Sequence, residues 1–404
     1  MKIGAFAKKN RVSIDTIRHY VNLELLIPQK PRKQYEFDLQ CQKDLDEIIF
    51  LKELGFTLLE IKNIFIVSHL GKMTSFQQEE YYKNIFRAKY DSTKIEIEHL
   101  IRKKSNLEEE LHKLDIKSES KQFNMGIDLN CLRYLCCHYC GDSLVLKGAI
   151  IEDNMVISGN FKCKCGIEHL VQDGILFVDA TRVSENLPPN ILSYIQNTDV
   201  EYLNQVYKTL EWSVQNINFK DFSEKIVLEL GSGSGFFLRR IYNELPENAV
   251  YIAVDYDSSR LRFLKGILEK SEQRKNILFI CCDFTRLPLM SNSVNVICDY
   301  SGTSNFCFEH SEFLLNAMKR YFKTDTVLFG SYIIFSNFSQ NSKVPVDCRP
   351  NFQIDTVKKQ IEKLGFSKQS EYISDIITKG GIYEDYFKKD EQVLTYSYFG
   401  KRLG

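Results

Sequence analysis

No run of eighteen or more apolar residues occurs anywhere in these 404 residues, so nothing in the chain has the length to cross a bilayer as a helix. The first residues, MKIGAFAKKN, lack the apolar core and small-residue cleavage site of a signal peptide. An excess of one charge is missing too. Lysines and arginines number 53, as do aspartates and glutamates, so any signal for nucleic acid has to be local. These absences lead us to expect a cytoplasmic protein with no membrane partner. Cysteine is not scarce: there are twelve. In a short secreted chain they would suggest disulfides, but Cys281, Cys282 and Cys298 fall inside strand-like runs and others cluster at metal-ligand spacing. Reduced thiols with one metal site fit better. The length allows two or three domains.

The stretch on which the rest depends is residues 227–241, VLELGSGSGFFLRRI. An apolar run suited to a buried parallel strand ends in Gly231, Gly233 and Gly235 and then turns helical, and such glycines let a backbone pass close to a ligand. The next run, AVYIAVD, closes on Asp255, where a nucleotide-binding α/β unit sets an acid against ribose hydroxyls. A third, ILFICCD, closes on Asp283. A dinucleotide fingerprint would read G-x-G-x-x-G. Here the order is Glu229-x-Gly231-x-Gly233-x-Gly235, with an acid two residues ahead of the first glycine.

That order resembles motif I of the class I S-adenosylmethionine-dependent methyltransferases, whose cofactor has a sulfonium and an amino-acid end but no pyrophosphate needing a helix N-terminus. The resemblance implies S-adenosyl-L-methionine held by Glu229, Gly231, Gly233, Gly235, Asp255, Tyr256, Asp283 and Phe284. Leu287-Pro288-Leu289, just beyond, looks like the segment that helps hold the adenine amino group. Strand and helix runs alternate as in a doubly wound, Rossmann-like α/β sheet: a helix over 258–270, a strand to Asp283, a helix in HSEFLLNAMKRYF, a strand in DTVLFGSYIIF and a helix in FQIDTVKKQIEKLGF. Two last β runs, KQSEYISDII and QVLTYSYFGKRL, fit the antiparallel hairpin that closes such sheets. Before the loop, residues 185–221 hold Pro188-Pro189 and helical stretches expected to lid the cofactor.

At the N-terminus a short helix beginning at Ile3 meets a second one capped by Ser13 across a polar turn, KKNRVS. That is helix-turn-helix shape, and the segment 2–38 has eight basic and four acidic residues. The order SIDTIRHYVNLELLIPQ, then PRKQYEF, then KDLDEIIFLKELGFTLLEIKNIF resembles the DNA-binding head of MerR-type transcription regulators. The matching positions are Thr16, Arg18 and Tyr20, then Leu25, Leu26 and Pro28, then Gly55, Phe56, Thr57, Leu59, Glu60 and Ile61. The resemblance implies a winged head on double-stranded DNA, with Ser13, Thr16, Arg18, His19, Tyr20, Arg32, Lys33 and Tyr35 at the contact. One departure is Glu36 after Tyr35, where the family wing has Arg; Arg32 and Lys33 could substitute.

From Ser75 to Lys117 there is neither Pro nor Gly. A long helix is expected, with a heptad seam of Phe86, Leu100, Leu107 and Leu114 on one position and Tyr90, Ile97 and Leu111 on the other, broken by Thr93 and Lys104. MerR-type regulators dimerise through such a helix, which implies a homodimer on a pseudo-palindromic operator. Further on, Cys137-x-x-Cys140-Gly141 and Cys163-x-Cys165-Gly166 suit four thiolates around a tetrahedral zinc, with Cys136 and His138 as spare ligands. The module resembles the zinc ribbon ahead of the catalytic domain in rRNA guanine methyltransferases. Expected domains are a winged helix-turn-helix domain at 1–74, a coiled-coil helix at 75–120, a zinc ribbon at 130–180 and a class I methyltransferase domain at 185–404.

Catalysis is less legible. A sulfonium methyl is already activated, so the enzyme chiefly aligns the acceptor and removes its proton. After the fourth strand the chain reads DYSGTSNFCFEH, without the N-P-P-[YF] motif of amino-methylating nucleic-acid enzymes or the Pro-Cys nucleophile of cytosine-C5 enzymes. Asp299, Tyr300, Glu309 and His310 lie near the expected mouth, and no single one is singled out as base. We therefore expect a regulator whose methyltransferase domain acts on a small molecule. A non-catalytic sensor of the cofactor and an RNA methyltransferase gripping RNA with its winged head are the alternatives.

Overall fold

The computed structural model describes residues 1–29, 34–70, 73–116, 123–178, 191–384, 386, 388 and 390–403. The chain divides into two compact units, Met1–Ser118 and Glu119–Gly404.

The first unit contains helices α1 (Ile3–Lys9), α2 (Ile14–Asn22), α3 (Leu39–Glu53), α4 (Leu58–Leu70) and α5 (Ser75–Ile116). Ser13 caps α2 as expected, its hydroxyl accepting from the Thr16 amide at 2.9 Å. Thr57 and Glu60 cap α4 reciprocally: the Glu60 carboxylate accepts from the Thr57 amide at 2.7 Å and the Thr57 hydroxyl from the Glu60 amide at 3.2 Å. Phe6, Ile17, Leu45, Ile48, Leu51 and Ile61 are fully enclosed between these helices. The start of α5 packs on this core. Phe86 lies edge-on to Phe50 and Phe56, and Lys89 pairs with Glu60 at 3.0 Å. Phe86 thus belongs to the head's packing rather than to the free seam expected of it. Beyond it Tyr90, Ile97, Leu100, Leu107, Leu111 and Leu114 are exposed.

In the second unit the described strands form one twelve-stranded sheet. In chain order they are β1 (Ile127–Asp128), β2 (Val145–Glu152), β3 (Met155–Lys162), β4 (Glu168–Gln172), β5 (Ile175–Phe177), β6 (Ile226–Leu230), β7 (Val250–Asp255), β8 (Ile277–Cys281), β9 (Val294–Tyr300), β10 (Phe322–Asn337), β11 (Phe366–Ile373) and β12 (Gln392–Arg402). The order across the sheet is β1-β3-β4-β5-β8-β7-β6-β9-β10-β12-β11, with β2 also on β3. From β8 to β10 the pairing is parallel; β12 and β11 close that side antiparallel, as expected. The strands that follow the cysteine turns are not a detached module. Through β5, which pairs parallel with β8, they extend the same sheet.

The helices here are α6 (Ile191–Gln196), α7 (Val200–Gln215), α8 (Phe236–Ile241), α9 (Ser258–Leu268), α10 (Gly302–Cys307), α11 (Leu314–Met318) and α12 (Ile354–Lys363). Strands β6, β7 and β8 are buried along their whole length because both faces are covered. Leu228, Ile252 and Ile280 enter one core, and Val227, Tyr251 and Phe279 the other. The helix expected in HSEFLLNAMKRYF is shorter, since His310 instead stacks flat on Phe306, with ring centroids 4.0 Å apart. No described helix is long and apolar enough to cross a membrane.

Candidate functional site

Between β6 and β9 the order of the parallel strands reverses, and this is where an open α/β sheet leaves a crevice at its carboxyl edge. A cavity of about 190 Å³ opens there. Gly231, Asp255, Tyr256, Asp283 and Phe284 of the expected set line it. The Asp255 carboxylate accepts from the Gly233 amide at 2.8 Å and from the Asp257 amide at 2.9 Å, tying the glycine loop to the next strand end. Burial raises its pKa above the usual carboxylate range, against the pull of the Arg260 guanidinium. Asp283 accepts from the Thr285 amide and hydroxyl at 2.8 and 2.7 Å. Phe284 is buried, edge-on to Phe306.

Glu229 and Gly235 sit behind this wall. Glu229 is 1 % exposed, and burial, opposed by the neighbouring Ser232 and Tyr251 hydroxyls, pushes its carboxyl up to about 7. Gly235, at φ 77°, opens α8 where a Cβ would meet Leu264. Sequence reasoning missed Arg260, Asn305 and Phe306 on the cavity wall, and also Gly302. A Cβ on Gly302 would come within 2.1 Å of the Leu230 carbonyl oxygen, so only glycine lets this turn close on the loop. The sole sequence signal was the Ser-Gly pair after the fourth strand.

The four residues near the mouth separate. Glu309 and His310 line the cavity. Asp299 is fully buried, accepts from the Thr303 amide at 2.8 Å, and is raised by burial to about 6. Tyr300 donates its hydroxyl to the Val206 carbonyl at 3.2 Å. The expected lid is also corrected. Residues 185–190 lie outside those described, and no described residue of α6 or α7 lines the glycine-loop cavity. Tyr194 of α6 packs against Phe236, and α7 roofs a second cavity beside Tyr300 and Ser301.

Cys137, Cys140, Cys163 and Cys165 bring their sulfurs within 4.8 Å of one another. Cys137 and Cys165 are 3.6 Å apart and Cys140 and Cys163 3.3 Å. A tetrahedral ion with ~2.3 Å metal–sulfur bonds sets sulfurs ~3.8 Å apart, so the cluster could hold such a metal. Cys136 and His138 stand outside it.

In the head, Ser13, Arg18 and His19 are exposed on or beside α2, and Thr16 is half-buried. Arg18 pairs with Asp15 at 3.1 Å, both open to solvent. Tyr20 is 4 % exposed and packs in the head's core, so it supports the helix from beneath instead of presenting to a groove. Tyr35 is partly exposed, and Glu36 bridges to Gln29 and Lys2. Arg32 and Lys33 lie outside the described residues.

Two family models match. One described as MerR HTH family regulatory protein covers residues 1–65, and one described as Methyltransferase domain covers residues 221–381. No curated protein matches the chain. Among solved structures, the MccD protein is 15 % identical with a TM-score of 0.37, over 48 % of this chain and 96 % of that one. A SAM-dependent methyltransferase from Aquifex aeolicus is 17 % identical with a TM-score of 0.33, over 51 % and 94 %. Phosphoethanolamine N-methyltransferase 2 of Haemonchus contortus, solved with S-adenosyl-L-methionine, is 13 % identical with a TM-score of 0.36, over 50 % and 53 %. The assignment rests on the family models and the strand order: this chain joins a MerR-family helix-turn-helix head to a class I methyltransferase domain.

Proposed function

We propose that the protein is a cytoplasmic, DNA-binding regulator of MerR type whose second unit is an S-adenosylmethionine-dependent methyltransferase for a small-molecule acceptor. The observation that carries the reading is the cavity at the strand-order reversal, walled by the Gly231 loop and the two strand-end acids Asp255 and Asp283. Its residues fit the cofactor's parts. Asp255 keeps lone pairs for ribose hydroxyls, Tyr256 and Phe284 offer aromatic walls for a flat base, and the bare backbones of Gly231 and Gly302 admit a close amino-acid end. The cofactor supplies an activated methyl on sulfonium. The chain's part is to orient the acceptor and exclude water.

The four-thiol cluster is assigned zinc. Four thiolates leave no open position for chemistry, so the ion's role is to hold the β2–β5 region together. The head is assigned to double-stranded DNA, with Ser13, Arg18 and His19 at the major groove, and the exposed stripe of α5 to pairing with a second copy on a pseudo-palindromic site. A direct test is ultraviolet crosslinking of radiolabelled S-adenosylmethionine to the full chain, followed by peptide mapping. Label should fall on peptides carrying Tyr256 or Phe284 and be competed by S-adenosylhomocysteine; label confined to other peptides would overturn the assignment.

A further inference from the structure

The second cavity lies on the other side of the turn that ends β9 and shares no lining residue with the first. Gly302 faces the glycine-loop cavity, whereas Ser301 beside it, held at φ 67°, lines the second. This second space is small, about 30 Å³, room for one group the size of a water. Hydroxyls and one amide furnish its polar wall, and among the described residues no carboxylate, ammonium, guanidinium or imidazole lines it. Two of its polar atoms have no partner: Gln205 Oε1 and Thr209 Oγ1, on side chains 6 % and 1 % exposed. The other end of the Gln205 amide is fixed, since Nε2 donates to the Thr395 hydroxyl at 2.9 Å and to the Ser374 hydroxyl. A buried acceptor on a residue that lines a cavity, left without a donor, is unfavourable, and a ligand N–H or O–H would satisfy it.

Resting on the methyltransferase reading above, we infer that this cavity takes the nucleophilic end of the acceptor, and that this end is an uncharged nitrogen with an N–H either on itself, as in an arylamine, or across its ring, as in an imidazole whose unprotonated nitrogen attacks. A carboxylate, phosphate or alkylammonium would be stripped of water there with no opposite charge to meet it. An alcohol would need a base to remove its proton, and no described lining group is one. A neutral aromatic nitrogen has its lone pair available already. Its N–H donates to Gln205 Oε1, and the nitrogen alone sits among Tyr202, Tyr300 and Tyr386. In the step, the nitrogen lone pair forms the new N–C bond as the C–S bond breaks, the sulfur keeping the electron pair. The positive charge left on nitrogen is relieved by loss of the N–H proton to water through the Tyr202 and Tyr386 hydroxyls, 3.1 Å apart. The body of the acceptor lies in a third space of about 310 Å³ that shares Gln205 and Ile377 with the second, so Gln205 stands at the neck between them.

The test is saturation-transfer NMR on the full chain saturated with S-adenosylhomocysteine, using aniline and imidazole against acetate, methyl phosphate and ethanolamine. Turnover of the same probes with S-adenosylmethionine is read in parallel. Aniline or imidazole should bind and the charged probes should not. Gln205→Leu should weaken the neutral probes about tenfold or more while S-adenosylhomocysteine binds as in the wild type. Preference for a charged probe, silence from every probe, or indifference to Gln205→Leu overturns the inference and leaves the methyltransferase reading standing. Failure of S-adenosylhomocysteine to bind overturns that reading first, and the inference with it. Should Gln205→Leu not fold, the wild-type choice between aniline and acetate decides alone.

Discussion

Two carboxyls at the centre of the sheet, Glu229 and Asp299, are pushed by burial to about 7 and about 6. A glutamate whose ordinary value is about 4.3 then holds its proton more tightly in the folded chain than in the unfolded one. The stability gained by keeping Glu229 neutral is complete below that ordinary value and is lost as pH rises through 7, an effect of up to about 3 kcal/mol. Glu229→Gln, neutral throughout, should lie close to the wild type in urea unfolding at pH 5 and be the more stable of the two at pH 8. An equal gap at both pH values contradicts this. At this scale the sequence told part of the story. Asp255 and Asp283 were legible because each ends an apolar run, a local signal. Gly302, Arg260 and Phe306 were not, because their place on the cavity wall comes from how the turn after β9 and helix α9 close against the loop.

The strands beside the cysteine turns, and α5, show what spacing can and cannot say about elements. The two pairs were readable as one cluster, and their sulfurs do converge. That their strands would run on into the main sheet was not readable, because β5 is three residues long and its partner β8 lies about a hundred residues away in the chain. This continuity has a measurable consequence. Stripping the metal with a chelator should release about one zinc per chain and lower the melting temperature of the whole second unit, since a structural zinc contributes its binding free energy to folding. Release of no zinc, or a melt of that unit that ignores the chelator, contradicts it. In α5 the heptad pattern placed the helix but misassigned Phe86. Period alone cannot tell a residue that packs on its own head from one that waits for a partner. Tyr20 was placed at the DNA contact by the family resemblance, whose pattern does not reveal that its ring turns inward.

For the whole molecule, the account joins a DNA-binding twin to a methyl-transferring unit, and each half can be tested with the chain intact. Leu107 and Leu111 are 66 % and 61 % exposed, so Leu107→Glu with Leu111→Glu should leave each chain folded. The pair should shift sedimentation from dimer to monomer and weaken binding to a palindromic duplex about tenfold or more, because paired heads share one site. A variant that stays dimeric rules α5 out as the interface. The central claim is that the cavity between the Gly231 loop and Asp255 holds the methyl donor. Calorimetric titration of the full chain with S-adenosylmethionine tests it most directly. The account predicts one site per chain, lost in Gly302→Leu, whose side chain would enter the Leu230 carbonyl, and kept in the Leu107 and Leu111 variant. Absence of heat with the folded wild type, or undiminished binding in Gly302→Leu, would contradict it.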